Sequence, residues 1–149
     1  MIIVATKRVP ALEGFFREED DGTARLLGGR CVKCGASFFP MQWSFCRNPV
    51  CEGAPLDEVE LSHTGTLWSF ADNQFSPPPP YPQADPFVPY GVAAVELTAE
   101  RMVVLGQLAS GTDTKTLSVG VEMELVVEPL YETAEEIRTV WKWKVADKS

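Results

Sequence analysis

The four cysteines of the chain form two pairs within one short stretch. Cys31 and Cys34 are separated by two residues and followed by Gly35, whereas Cys46 and Cys51 are separated by four. Eleven residues lie between the pairs, enough for a hairpin that brings both pairs to one ion. Four thiolates in two such turns are typical of a closed, tetrahedral Zn²⁺ site without an open position for water. The pattern predicts structural Zn²⁺, which contributes folding energy rather than catalysis.

Other uses of these cysteines are less favoured. A rubredoxin-like iron site has the same ligands and would make the chain an electron carrier, although such proteins usually place more residues between the pairs. A thioredoxin-like redox pair is disfavoured because Cys31 and Cys34 do not lie at a predicted strand-to-helix junction. Two disulfides are disfavoured if the chain resides in a reducing compartment.

Composition limits the functional class. A chain of 149 residues fits one compact domain, or a domain with a small satellite. Its 13 basic and 21 acidic residues give a net charge of −8, which disfavours nucleic-acid binding. The first apolar run is too short for a signal peptide, and no segment is long enough to span a membrane. We expect a cytoplasmic protein that does not bind membranes.

The N-terminal segment carries apolar residues at helical spacing. Pro10 suits a first helical turn, and Leu12, Phe15 and Phe16 would form one face before an acidic run. The spacing predicts a short amphipathic helix. That helix would either cover the rest of the domain or dock in a groove of a partner.

The remaining chain has strand character. Val59 to Phe70 reads as one long strand bent at Gly65, and a hairpin and two further alternating segments follow. Five strands predict a small Greek-key barrel, most often an OB-fold. The predicted fold is mainly β, with a helical arm over 1–30, a four-cysteine zinc ribbon over 31–56 and a five-stranded OB-fold barrel over 57–149.

A proline-rich insertion interrupts the strands at residues 75–90. Seven of its sixteen residues are proline, which predicts an extended loop rather than a strand. Long loops in compact domains are usually functional or disordered. The four aromatic residues favour a loop that contacts a partner or an acyl group over a passive one: Phe75, Tyr81, Phe87 and Tyr90.

Several motifs in this order resemble the family of rubredoxin-like zinc-ribbon plus acyl-CoA-associated OB-fold proteins. The motifs are CVKCGASFFP from Cys31, GTLWSF from Gly65, YGVAAVELTAERMVVLGQL from Tyr90, LSVGVEMELVVE from Leu117 and WKWKV from Trp141. The resemblance covers nearly the whole chain. The sequence departs from the family pattern in the four-residue spacer of the second cysteine pair and in the length of the proline-rich loop.

The resemblance implies a non-catalytic subunit in a hetero-oligomer with a thiolase-like partner. Members accompany thiolases, retro-aldolases and acetyltransferases that act on CoA thioesters, and the nearest kind is the small zinc-finger subunit of a thiolase for an aromatic acyl-CoA in anaerobic aromatic degradation. The residues agree with this role, because no cysteine is left as a nucleophile and the one histidine, His63, has the features of a surface or strand-end residue.

A few side chains are candidates for contact with the CoA thioester. Arg30, Lys33 and Arg47 lie near the cysteines and could bind CoA phosphates, although each could equally be an ordinary solvated charge. The loop aromatics would line the acyl pocket. The alternatives are an OB-fold module for single-stranded nucleic acid, which would need a basic groove, and the electron carrier described above.

Overall fold

The computed structural model describes residues 7–19, 22–40, 44–74 and 89–146, which form ten β-strands and one 3₁₀ turn at Thr114–Thr116. The strands are β1 Lys7–Pro10, β2 Phe16–Glu18, β3 Ala24–Cys31, β4 Ser37–Phe38, β5 Leu56–Glu60, β6 Thr64–Asn73, β7 Tyr90–Leu97, β8 Met102–Leu108, β9 Glu122–Glu132 and β10 Glu136–Val145. Among these residues, no helix has the length and apolar character needed to cross a membrane.

Strands β6 to β10 close into a five-stranded barrel. Antiparallel pairings join β6 to β7, β7 to β8, β10 to β9, and β9 back to β6. The circle is completed by a parallel pairing of β8 with β10. This order is that of an OB-fold, so the predicted five-stranded barrel is confirmed.

The barrel interior is filled by inward-facing apolar side chains. Its fully buried members include Leu67, Val95, Leu97, Met123 and Trp143. A β-bulge between Leu67 and Ser69 bends β6, as closure of a small barrel requires.

The first cysteine, Cys31, is the last residue of β3, the central strand of a second, smaller sheet. β3 pairs with β5 along one edge, and with β2 and β4 along the other. Its own core is small and consists of Cys31, Cys46 and Leu56, with a few half-buried neighbours. The expected single strand from Val59 to Phe70 is wrong, because β5 ends in this sheet and β6 begins in the barrel.

The predicted N-terminal helix is also wrong. Residues 7–18 instead form β1, a turn with Gly14 at a φ of +83°, and β2. β1 pairs in parallel with β10, whose residues lie about 130 positions away in sequence. A bidentate ion pair between Arg8 and Glu18 joins β1 to β2. The helical spacing was therefore overridden by strand pairing, of β1 with the distant β10 and of β2 with β3.

An aromatic cluster packs the ribbon and β2 against the barrel. The indole of Trp141 on β10 stacks on Phe15 with ring centroids 6.1 Å apart. It also meets Phe16 at 5.8 Å and Phe39, which follows β4, at 5.6 Å, both edge-on. The Trp141 indole N–H donates to the Leu105 carbonyl at 3.0 Å. One side chain thus connects β2, the ribbon and β8.

Truncation of the barrel core should destabilise the chain. Leu67 is fully buried, so we expect Leu67→Ala to lower the free energy of unfolding by about 2–5 kcal/mol through lost packing and a residual cavity. The measurement is denaturant unfolding of the full chain followed by circular dichroism. The matched control is Leu105→Ala, because Leu105 is 62% exposed and its loss should change stability by less than about 0.5 kcal/mol. Equal stability of the two variants would contradict the assigned core.

Candidate metal centre and neighbouring sites

The ribbon brings the four cysteine sulfurs into one cluster. The Sγ atoms of Cys31, Cys34, Cys46 and Cys51 all lie within 4.8 Å of one another. Cys31 and Cys51 are 3.8 Å apart, and Cys34 and Cys46 are 3.6 Å apart. A tetrahedron with metal–sulfur bonds of about 2.3 Å has sulfur–sulfur edges of about 3.8 Å. The spacing therefore suits one tetrahedral metal ion.

Backbone amides of both turns point at the sulfurs. The N–H groups of Lys33 and Cys34 donate to the Cys31 Sγ at 3.4 and 3.3 Å. The Asn48 N–H donates to the Cys46 Sγ at 3.4 Å. Such donors stabilise negative charge on sulfur and fix the direction of each ligand.

Backbone hydrogen bonds and burial give the cysteine thiols different pKa values. The backbone N–H of Cys34, with that of Lys33, lowers the pKa of Cys31 to about 6 against the effect of burial. The backbone N–H of Ala54 similarly lowers the pKa of Cys51. Burial raises the pKa of Cys46 to about 12, so a metal ion that binds Cys46 must displace its proton.

The longer second turn is organised by Asn48. Its side-chain oxygen accepts from the Val50 N–H at 3.2 Å, and its carbonyl accepts from the Cys51 N–H at 2.9 Å. These bonds fold the four-residue spacer so that Cys51 returns to Cys31. The Asn48 side-chain amide also lies 3.7 Å from the Cys34 Sγ. Sequence analysis missed this residue, although asparagine before proline is a recognisable turn signal.

The basic residues near the cysteines have different surroundings. Lys33 is exposed and forms an ion pair with Glu52 at 2.6 Å. Arg30 projects from β3 and lines a small cavity of about 100 Å³ together with Glu60 and Glu100. Arg47 is exposed and directly follows Cys46. The three residues flank the ribbon, and Lys33 and Arg30 lie beside carboxylates that offset their charge.

The aromatic residues of the proline-rich insertion are only partly described. Phe75, Tyr81 and Phe87 lie outside the described residues. Tyr90 is the first residue of β7 and lines a cleft of about 530 Å³. The lining of that cleft includes Lys142, which is 9% exposed and forms an ion pair with Glu128 at 3.2 Å.

His63 stands apart from the cysteine cluster. It is exposed and directly precedes β6, and its backbone carbonyl accepts from the Leu125 N–H at 2.8 Å. All four cysteines of the chain are in the cluster. Consequently, no cysteine remains to pair with His63 as a nucleophile and base.

This combination of a four-cysteine ribbon and a closed OB barrel defines a class of two-part β proteins. A family model described as the ChsH2 rubredoxin-like zinc ribbon domain matches residues 23–57. A second, described as the ChsH2 C-terminal OB-fold domain, matches residues 58–128. The two matches are contiguous and together span more than half of the chain, which belongs to the ChsH2 family of zinc-ribbon and OB-fold proteins.

Two known proteins illustrate the relationship. Benzoylsuccinyl-CoA thiolase subunit BbsA of Thauera aromatica is 38% identical over 89 residues, which are 59% of this chain and 55% of that protein. The chain therefore aligns with little more than half of this curated relative. A solved structure titled Ltp2-ChsH2(DUF35) aldolase superposes with a TM-score of 0.60 at 27% identity, covering 81% of this chain and 84% of that one.

Loss of one buried thiol should abolish tight metal binding. We expect Cys46→Ser to remove the bound metal from the purified chain, since three thiolates and a hydroxyl form a much weaker site. The measurement is elemental analysis, together with the visible spectrum of the Co²⁺-loaded protein, which reports tetrahedral thiolate coordination. Ser44→Ala, two residues earlier, is the control and should retain one ion per chain. Full metal content in Cys46→Ser would contradict the assigned centre.

Asn48 provides a finer test of the second turn. Asn48→Ala removes the acceptor for Val50 and the amide near Cys34, and should weaken metal affinity about 10-fold or more. Asn48→Asp keeps the acceptor but places a negative charge beside the thiolates. If the amide donor matters, the metal affinity of Asn48→Asp should be no higher than that of Asn48→Ala. The affinities are measured by competition with a chromophoric chelator. Wild-type affinity in Asn48→Asp would show that only the turn contributes.

Proposed function

We propose that this chain is the non-catalytic, zinc-binding subunit of a thiolase-superfamily complex that forms or cleaves C–C bonds in CoA thioesters. The observation that carries the proposal is the gathering of all four cysteines into one metal-type cluster. Thiolysis through an acyl-enzyme needs a free cysteine and a base within hydrogen-bond reach. The nucleophile must then belong to the partner.

The relatives support a partnered role. BbsA is described as a thiolase subunit, and the solved ChsH2 relative is described as part of an aldolase. Both reactions make or break carbon–carbon bonds. The name of BbsA includes an aromatic CoA thioester, so we propose an aromatic acyl-CoA from anaerobic aromatic degradation as the substrate class.

We assign Zn²⁺ as the bound metal because a closed four-thiolate set suits its tetrahedral preference. Bound Zn²⁺ would supply a structural crosslink between the two turns and no open coordination position. Cys31, Cys34, Cys46 and Cys51 would hold it. Thiolate ligands persist in a reducing compartment, which fits a complex that works in the cytoplasm.

The contacts of this chain with the CoA thioester are assigned by charge and position. Arg30, Lys33 and Arg47 are the candidates for CoA phosphates, because all three flank the ribbon and cationic side chains suit phosphate oxygens. Tyr90 and the other loop aromatics, Phe75, Tyr81 and Phe87, would form the wall nearest the acyl group. In this proposal the chain supports the active conformation of the partner and completes its acyl-CoA site.

An electron carrier remains the second candidate, since the same four thiolates are ligands for iron. The metal distinguishes the two functions. A colourless chain with zinc supports the structural role, whereas a coloured chain with a reversible one-electron couple supports electron transfer.

The direct test is purification of the tagged full chain from its native cells. We expect a thiolase-superfamily protein to copurify, as identified by mass spectrometry, with zinc and with CoA-thioester cleavage that neither chain shows alone. Omission of the tag is the control for nonspecific capture. Elution of the chain alone, or activity of the isolated chain, would contradict the proposal.

A further inference from the structure

The outer face of β6, β7 and β8 is unusually apolar for an exposed sheet. Trp68 is 60% exposed, Leu105 is 62% exposed and Val103 is 42% exposed. Their sequence neighbours Leu67 and Val104 are buried in the barrel. Because side chains alternate along a strand, Val103 and Leu105 point away from the core. Trp68 lies at the β-bulge of β6, and its exposure places it on the outside as well. We call this surface the apolar face.

Strand register makes the apolar face continuous. Ala94 on β7 lies opposite Ser69, next to Trp68, and opposite Leu105 on its other side. The small Ala94 thus stands between two large apolar neighbours. Val103 lies two residues before Leu105, on the same side of β8. Scattered apolar residues on a surface need no explanation, but a contiguous group marks an interaction site.

The apolar face lacks positive charge on its strands, and this limits the class of partner that it can bind. The sequences of β6, β7 and β8 contain no lysine or arginine, and Glu96 is the charged residue beside Val103. In OB-folds this strand surface often binds nucleic acid through basic and aromatic residues. Here the cations that phosphates require are missing from these strands, so neither nucleic acid nor the phosphates of CoA suit it.

A second copy of the chain is also a poor occupant. Each chain carries a net charge of −8, so self-association would bring like charges together. A different protein with an apolar patch and a basic rim would instead gain from both the apolar contact and the charge.

We propose that the apolar face is where the thiolase-superfamily catalytic subunit docks, with Trp68 and Leu105 as its central anchors. This proposal rests on the proposed function, because it locates the contact with that partner. Tryptophan is enriched among the residues that dominate interface energy, and Trp68 is the exposed tryptophan of the described residues. In this arrangement the barrel provides the docking sheet, and the surface of the ribbon stays available for other contacts within the complex.

The first experiment measures affinity of the purified full chain for the copurified catalytic subunit by calorimetry. Trp68→Ala and Leu105→Arg should each weaken the dissociation constant about 10-fold or more. Tyr131→Ala is the matched control, because Tyr131 is 39% exposed and pairs with Arg138 on a different hairpin. It should stay within about 2-fold of wild type. Circular dichroism of each variant checks that the fold is retained.

The second experiment uses the wild-type complex and needs no variant. Hydroxyl-radical footprinting should show Trp68 oxidised rapidly in the free chain and protected in the complex, with Tyr131 equally reactive in both. A wild-type complex with Trp68 still reactive and unchanged affinity in both variants would overturn the docking face but leave the subunit role intact. Failure of the wild-type chain to form any complex would overturn the proposed function and the docking face together.

Discussion

The convergence of four sulfur atoms is the constraint on which the ribbon depends. Four negatively charged sulfurs within 4.8 Å of one another would repel each other strongly unless they bound a common cation. The apolar core of the ribbon is also small, with Cys31, Cys46 and Leu56 as its buried members. A core of that size provides little folding free energy, and small modules usually need a metal or disulfide as well. The metal-type cluster is therefore the element that makes the ribbon sheet possible.

The second requirement is attachment of the ribbon to the barrel. Trp141 provides it by packing against Phe15, Phe16 and Phe39 while its indole N–H bonds to the Leu105 carbonyl. Because Leu105 also presents its side chain on the apolar face, the junction and the proposed docking surface share one strand. The hydrogen bond uses the backbone of Leu105, so a side-chain change at the docking surface leaves the acceptor of the junction in place.

The sequence predicted those features that depend on the types and spacing of neighbouring residues. The cysteine pairs predicted the cluster, and strand alternation predicted the barrel, because both patterns depend on neighbouring residues. The N-terminal helix was a wrong prediction for the opposite reason. Phe15 and Phe16 have helical spacing, yet their segment is fixed by pairing with β3 and by Trp141, more than 100 residues away. Local patterns carry no information about such partners.

Sequence also could not reveal the role of Asn48 or the apolar face. Asn48 acts through backbone and amide donors whose direction depends on the folded turn. The apolar face joins Trp68, Ala94 and Leu105 from three strands, and their proximity follows from register. In contrast, the absence of lysine and arginine from the segments of β6, β7 and β8 is visible in the sequence. Only the adjacency of these strands in the structure shows that they form one surface without cations.

If this chain supports catalysis without performing it, the acyl-enzyme forms on the partner, and its location distinguishes the two roles. The purified complex would be incubated with an isotope-labelled acyl-CoA, quenched in acid and digested, and the labelled peptides identified by mass spectrometry. We expect an acylated cysteine in the partner and no label on Cys31, Cys34, Cys46 or Cys51. A label on any of these four cysteines, formed at the rate of turnover, would show that this chain itself carries the acyl group during catalysis.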